Sequence, residues 1–291
     1  MAAINSQMQG KTCLITGANS GIGKATALAL AQMGAAMVLV SRDRARGEEA
    51  QREIKTKSGN ESIDLLLADL SSQESIRQLA RDFKQRYDRL HVLINNAGAY
   101  SLTRRVTVDG MEMTVAVNLL APFLLTNLLL GMLKASAPAR IVNVSSDAHE
   151  ANYLNLDDLQ LEKHFRPMRA YGQSKLAEVL FTYELARHLE GTGVTANCLH
   201  PGFVATNIAQ RDLPLPARLV TKLIFRFGIS PEEGAKTSIY LASSPDVEGV
   251  SGKYFVKSVP KQSAPLSYDE SLQQQLWQKC AELTGLTVQV S

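Results

Sequence analysis

A chain of 291 residues that is 45% hydrophobic and 20% charged has an ordinary globular mix, and it is long enough to bury a full core without disulfides or metal. Its net charge of +3 is too small to imply a nucleic-acid partner. The widely spaced Cys13, Cys198 and Cys280 form no disulfide framework, and the five histidines form no H-x-x-x-H or H-E-x-x-H pattern. A reducing compartment and no metal are therefore expected.

The opening residues, MAAINSQMQGKTCLIT, lack a basic region followed by an apolar run, so neither a signal peptide nor a membrane anchor is expected. Short apolar runs then alternate with longer amphipathic stretches. TCLIT (12–16) reads as a buried strand, 21–33 as a helix stopped at Gly34, and AMVLV (36–40) as a second strand. A charged helical segment, 43–57, leads to the strand IDLLLA (63–68), and a helix over 72–87 follows with Ser71 or Ser72 as its cap. HVLIN (91–95) is a fourth strand, 111–135 a long helix, and RIVNV (140–144) a fifth strand. A helix over 168–190, the strand TANCLH (195–200) and a short seventh strand, KYFV (253–256), complete the series. The apolar segment LLAPFLLTNLLLGML (119–133) is too short to cross a bilayer and is interrupted by Pro122, Thr126 and Asn127. It reads as a core helix of a soluble, cytoplasmic protein.

Strands that are apolar without clean alternation are buried on both faces, and strand–helix repetition with short links builds a parallel sheet flanked by helices. The expectation is an α/β chain with one doubly wound Rossmann-type domain over 1–291 and a seven-stranded, mostly parallel sheet. A flap is expected over 203–230 and a helical tail over 267–285.

Two stretches point to chemistry. In TGANSGIG, from Thr16 through Gly17, Asn19, Ser20, Gly21 and Ile22 to Gly23, a strand turns into a helix through three glycines. There the backbone can approach a ligand closely, and the helix start offers free N–H groups to a phosphate. At the end of the second strand, VLVSRDRAR puts Ser41 where an acid would hold a ribose 2′-hydroxyl, and Arg42 follows. A guanidinium matches a 2′-phosphate, so NADP(H) is the expected cofactor, with NAD(H) as the alternative. The competing reading leaves Arg42, Arg44 and Arg46 solvated, with Asp43 capping the next helix. The second stretch is AYGQSK (170–175), where Tyr171 and Lys175 lie one turn apart on one helix face. A phenol alone is a poor proton donor or acceptor at neutral pH, and a nearby ammonium favours its phenolate.

TGANSGIG, NNAG (95–98), Asn118, VSS (144–146), YGQSK and HPG (200–202) occur in the order found in short-chain dehydrogenases/reductases, and the chain resembles that family over about 10–285. SGKYF (251–255) and LWQKCAELTG (276–285) resemble its retinol-dehydrogenase-like branch. The resemblance implies that Tyr171 protonates a carbonyl oxygen and that Lys175 tunes it and holds the nicotinamide ribose. It implies that Ser146, with Ser145 as the alternative, hydrogen-bonds the substrate oxygen and that Asn118 positions Lys175. Asp69 and Leu70 would flank the adenine, Asn95 to Gly98, with Ala97 among them, would line the cleft, and Pro201, Gly202, Val204 and Thr206 would meet the nicotinamide. The step of 25 residues from Ser146 to Tyr171 is longer than in most of the family and is similar to that of the retinol-dehydrogenase-like branch. The implied reaction interconverts an apolar aldehyde or ketone, retinal-like, and its alcohol. The alternatives are a catalytically silent NADP(H)-binding protein and a sugar-nucleotide epimerase. Family members are often dimers or tetramers, which makes a homo-oligomer an option.

Overall fold

Strand β1 (Thr12–Thr16) sits at the middle of the sheet because every second residue can be buried on each of its two faces. Leu14 packs into one core, while Cys13 and Ile15 pack into the other. β2 (Ala36–Ser41) repeats this, with Val38 and Val40 on one side and Met37 and Leu39 on the other. The computed structural model describes residues 6–151, 153–203 and 228–287. Its remaining strands are β3 (Ile63–Leu67), β4 (Val92–Asn95), β5 (Ala139–Val144), β6 (Val194–His200), β7 (Tyr254–Val256) and β8 (Val259–Lys261). They form one sheet in the order β3-β2-β1-β4-β5-β6-β7-β8. The first seven strands run parallel, as expected; β8 adds a short antiparallel edge to β7.

Helices cover both faces. α1 (Gly21–Gln32), α2 (Arg44–Ser58) and α6 (Pro231–Ser243) close one core through Leu30, Ile54 and Leu241. α3 (Gln73–Arg86), α4 (Met113–Ala135), α5 (Pro167–His188) and α7 (Glu270–Thr284) close the other through Phe83, Phe123, Phe181 and Leu276. The expected tail is α7 with a short turn before it, and its Trp277 meets Phe123 of α4 and Phe181 of α5, ring centroids 4.9 and 5.8 Å away. Caps set several ends: Asp43 accepts from Arg46 N, Ser72 from Ser75 N and Ser230 from Glu233 N.

Two features bear on function. Strand order reverses between β1 and β4, and in open α/β sheets ligands bind beyond the carboxyl ends of the strands at such a point. Second, α4 widens to a π turn over Ala116–Leu120. Pro122 has no N–H to give the carbonyl of Asn118, and Ala121 N–H instead reaches back to Ala116 O. α4 spans 23 residues with mean hydropathy 1.9 over its apolar window, so by length and composition it could cross a membrane; 67% of that window is buried inside the fold. It is longer than the 119–133 run on which the expectation of a segment too short to span rests. All three cysteines are buried and free of disulfides.

Candidate active site

The loop after β1 and the loop after β4 are stitched together. Thr16 Oγ1 accepts from the backbone N–H groups of Asn96 and Ala97, both at 3.0 Å. Asn96 Nδ2 donates to Thr16 O at 2.8 Å. The glycines permit this closeness: a Cβ on Gly23 would fall 2.4 Å from Asn96 Nδ2 and 2.5 Å from Gly17 O, and one on Gly17 would fall 3.0 Å from Ala97 Cα. Gly17 and Gly21 also carry positive φ, 68° and 56°. Ser20, the residue before α1, makes no side-chain cap, so the first N–H groups of the helix remain available to an anion. Asn19 and Gly98 lie in the same two loops, and Ile22 lies in the first turn of α1. Asn95 departs from its expected place: 2% exposed, it donates to Thr126 Oγ1 and Asn143 Oδ1 inside the core.

At the end of β2, Ser41 is buried, and its hydroxyl donates to Asp43 O at 2.9 Å and accepts from Asp43 N–H. Arg44 pairs with Glu48, and Lys24 with Glu53 at 2.7 Å. Arg42 is exposed and, among the described residues, has no hydrogen-bond or ion-pair partner. Beyond β3, Asp69 Oδ1 accepts from the N–H and hydroxyl of Ser71, and Leu70 packs half-buried on the core.

The residues expected to carry the reaction gather where α5 crosses the end of β5. Lys175 Nζ stands 6.0 Å from the centre of the Tyr171 ring. It donates to Val144 O at 2.7 Å and to Glu178 Oε2 at 2.9 Å. Burial alone would push Lys175 down, but the carboxylate of Glu178, the Tyr171 phenol and Cys198 outweigh it, and the net direction is upward. Glu178 is itself pushed up to about 7 by burial, against the pull of Lys175. Tyr100 meets the Tyr171 ring edge-on, centroids 5.6 Å apart.

The two candidate serines differ in surroundings. Ser145 is buried and donates to Lys175 O at 3.0 Å, so its hydroxyl is spent on holding the helix. Ser146 is half-buried; it donates to Asp147 Oδ1 and accepts from Ala148 N–H, opening the turn Asp147–Ala151. That turn lies against α5 because residue 172 is glycine: a Cβ there would come 2.9 Å from Ala148 O. Asn118, fully buried in the π turn, exchanges hydrogen bonds with the backbone of Ala99 and donates to Ser174 Oγ at 3.0 Å. Ser174 in turn donates to Tyr171 O at 2.8 Å, so Asn118 reaches the Tyr171 turn through Ser174. After β6, Gly202 has φ 88°, and Ile229 N–H donates to Phe203 O. Pro201 is half-buried beside it. Val204, Thr206 and nearly all of the 203–230 flap lie outside the described residues.

Sequence reasoning missed Glu178 and His149. Glu178 follows Lys175 by three residues, a spacing that places it on the same face. His149 is fully buried and bonds at both nitrogens: Ala264 N–H donates to Nε2, so the proton sits on Nδ1 and is donated to Ser146 O at 2.7 Å. Among the described residues, no group of three or more His, Cys, Asp or Glu side chains is placed to hold a metal.

A sequence model of the short chain dehydrogenase family matches residues 11–214. The chain is 47% identical to mouse retinol dehydrogenase 14 over 291 residues, covering 96% of this chain and 87% of the relative. It is 42% identical to human polyprenol dehydrogenase, covering 95% and 86%. Among solved structures, an uncharacterized protein of Mycobacterium paratuberculosis superposes with TM-score 0.79 at 32% identity, covering 99% and 98% of the two chains. The NADP complex of Pseudomonas aeruginosa RhlG superposes with TM-score 0.69 at 26% identity, covering 88% and 97%. A glycine turn at an uncapped helix, a tyrosine–lysine pair on one helix face and these relatives agree: the chain belongs to the short-chain dehydrogenase family, in its retinol-dehydrogenase-like branch.

Proposed function

We propose that this carbonyl/alcohol oxidoreductase uses NADP(H) and acts on an apolar aldehyde or ketone and its alcohol, a retinal-like pair. The observation that carries the reading is the ammonium of Lys175 beside the ring of Tyr171, next to the turn that begins at Ser146. The uncapped start of α1 and the Gly17–Gly23 loop fit a pyrophosphate, and the unpaired Arg42 fits a 2′-phosphate. Bound there, the dinucleotide supplies or accepts a hydride at the reacting carbon. Tyr171 gives its phenolic proton to the carbonyl oxygen during reduction and takes it back in oxidation. Ser146 turns its hydroxyl from Asp147 Oδ1 to donate to the same oxygen. Lys175 has three N–H donors; two go to Val144 and Glu178, and the third remains for a ribose hydroxyl. Asn118 fixes the Tyr171 turn through Ser174 and the cleft wall through Ala99.

The names of the relatives, retinol and polyprenol dehydrogenase, both denote long apolar alcohols and support an apolar substrate. The burial of α4 supports a core helix and a soluble, cytoplasmic protein; recovery of the chain in carbonate-washed membranes would argue otherwise. The test of function is NADPH oxidation with retinal, medium-chain aldehydes, steroids and quinones, in wild type and Tyr171→Phe. Tyr171→Phe retains NADPH binding and loses turnover by about 10²–10⁴-fold. Unchanged turnover in that variant refutes the assignment, and NADPH binding without any oxidation favours a silent binding protein.

A further inference from the structure

The site holds a buried carboxylate for which the reaction above has no use. Glu178 lies one turn beyond Lys175, and the two side chains are 2% and 4% exposed with 2.9 Å between Oε2 and Nζ. The other group on Nζ is a neutral carbonyl, Val144 O. Among the described residues, Glu178 is the one carboxylate within ion-pair distance of Lys175. The remaining titratable groups that act on the ammonium are Tyr171 of the same helix and the buried Cys198 of β6. A buried ammonium stripped of its counter-charge is a costly species, and it loses its proton in preference to staying charged.

We propose that Glu178 is a positioning residue: its charge holds Lys175 as an ammonium against the end of β5 and so sets the pH range over which Tyr171 serves as a proton donor. The proposal rests on the reductase reading above. Its sign follows from charge alone. Reduction requires phenol and ammonium together, the state in which both protons are bound. Removing a negative charge 2.9 Å from Nζ makes a proton easier to lose from this coupled pair, whichever group gives it up first. The alkaline limb of the reductive profile therefore moves toward lower pH. Glu178, which ionises near 7, carries its charge across that limb.

The test is Glu178→Gln, which keeps the size of the side chain and an acceptor oxygen for Nζ. Profiles of kcat for NADPH-dependent reduction are compared between about pH 6 and 10. The alkaline limb of the Gln protein is expected to lie about 1–3 units below that of wild type. Glu178→Asp, which keeps the charge, is expected to stay near wild type. A readout that needs no turnover runs beside it: ultraviolet titration of phenolate, corrected with Tyr171→Phe, in which the Tyr171 step of the Gln protein is displaced, upward where Lys175 gives up the first proton and downward where Tyr171 does. A limb that stays in place or moves to higher pH, or a Tyr171 step that is not displaced, overturns the proposal. If wild type turns over no carbonyl, the reductase reading falls and the phenolate step alone decides on Glu178. If the Gln protein does not fold, the Asp protein decides: a wild-type profile supports the role, and a displacement of about one unit with the charge retained overturns it.

Discussion

Gly172→Ala probes the contact that brings the Ser146 turn against the Tyr171 helix. The new Cβ would stand 2.9 Å from Ala148 O, and that atom belongs to backbone rather than to a flexible side chain. Two terms oppose each other. Alanine in a helix interior gains about 1 kcal/mol over glycine, and overpacking costs about 1–3 kcal/mol. The net is a loss of about 0–2 kcal/mol, a fall in Tm of a few degrees at most for a chain of this size. Activity is far more sensitive, because the strain is relieved by moving Ala148, two residues from Ser146. A displacement near 1 Å at a reacting group costs about 10²-fold in rate. Gly131→Ala is the control: Gly131 also lies within a helix, α4, and nothing stands within 4 Å of its added Cβ. It is expected to raise stability by about 0.5–1 kcal/mol and leave kcat unchanged. Thermal melts, kcat and NADPH affinity are measured on both proteins. If Gly172→Ala keeps kcat within about twofold of the control, the serine turn is not set by this contact and the reasoning fails.

Arg42→Ala removes the exposed cation at the end of β2, and a hydrogen bond between charged groups is worth about 1.5–3 kcal/mol. NADPH affinity should drop about tenfold or more with NADH affinity little changed, as read by fluorescence titration; equal weakening would remove the 2′-phosphate role. Asn96→Ala leaves Thr16 O without its side-chain donor and should destabilise by about 1–3 kcal/mol, checked by urea melts, with weaker dinucleotide binding. His91 is held below its ordinary value mainly by burial, with Lys11 and Arg89 adding to the effect, and its Nδ1 accepts from Thr12 N–H at 2.9 Å. Its contribution is therefore complete above the ordinary imidazole value of about 6.5 and declines as pH falls through it, since the unfolded chain then binds the proton more readily. Urea melts at neutral and mildly acidic pH should show this decline, and His91→Gln should flatten it.

The first six strands were legible because their apolar runs are buried on both faces, and α1 to α5 because their patterns are long. The helix Pro231–Ser243 had a readable start, Ser-Pro-Glu-Glu, with a cap and a proline at the first position. Its buried face includes the small residues Gly234, Ala235 and Ala242, which give weak periodicity and hide it in the sequence. β8 carries three exposed residues and a proline, so no hydrophobic signal marks it. In the site, Tyr171, Lys175 and the glycine loop stood out by spacing. The division of labour between Ser145 and Ser146, and between Asn95 and Asn96, did not, because alternation along a strand end sends adjacent side chains to opposite sides. His149 bonds a backbone carbonyl and a segment 115 positions away, which no spacing announces, and Glu178 is marked only by its three-residue step from Lys175.

The bond from Ala264 N–H to His149 has a consequence for synthesis. A ribosome that has delivered β1 through β6 has already produced every residue to which the proposed mechanism gives a proton to handle. The loop bearing Ser146 nonetheless lacks one of its fastenings until the chain has grown past position 264. Nascent or proteolytically shortened forms ending before that point carry the whole reaction apparatus with its serine loop untied.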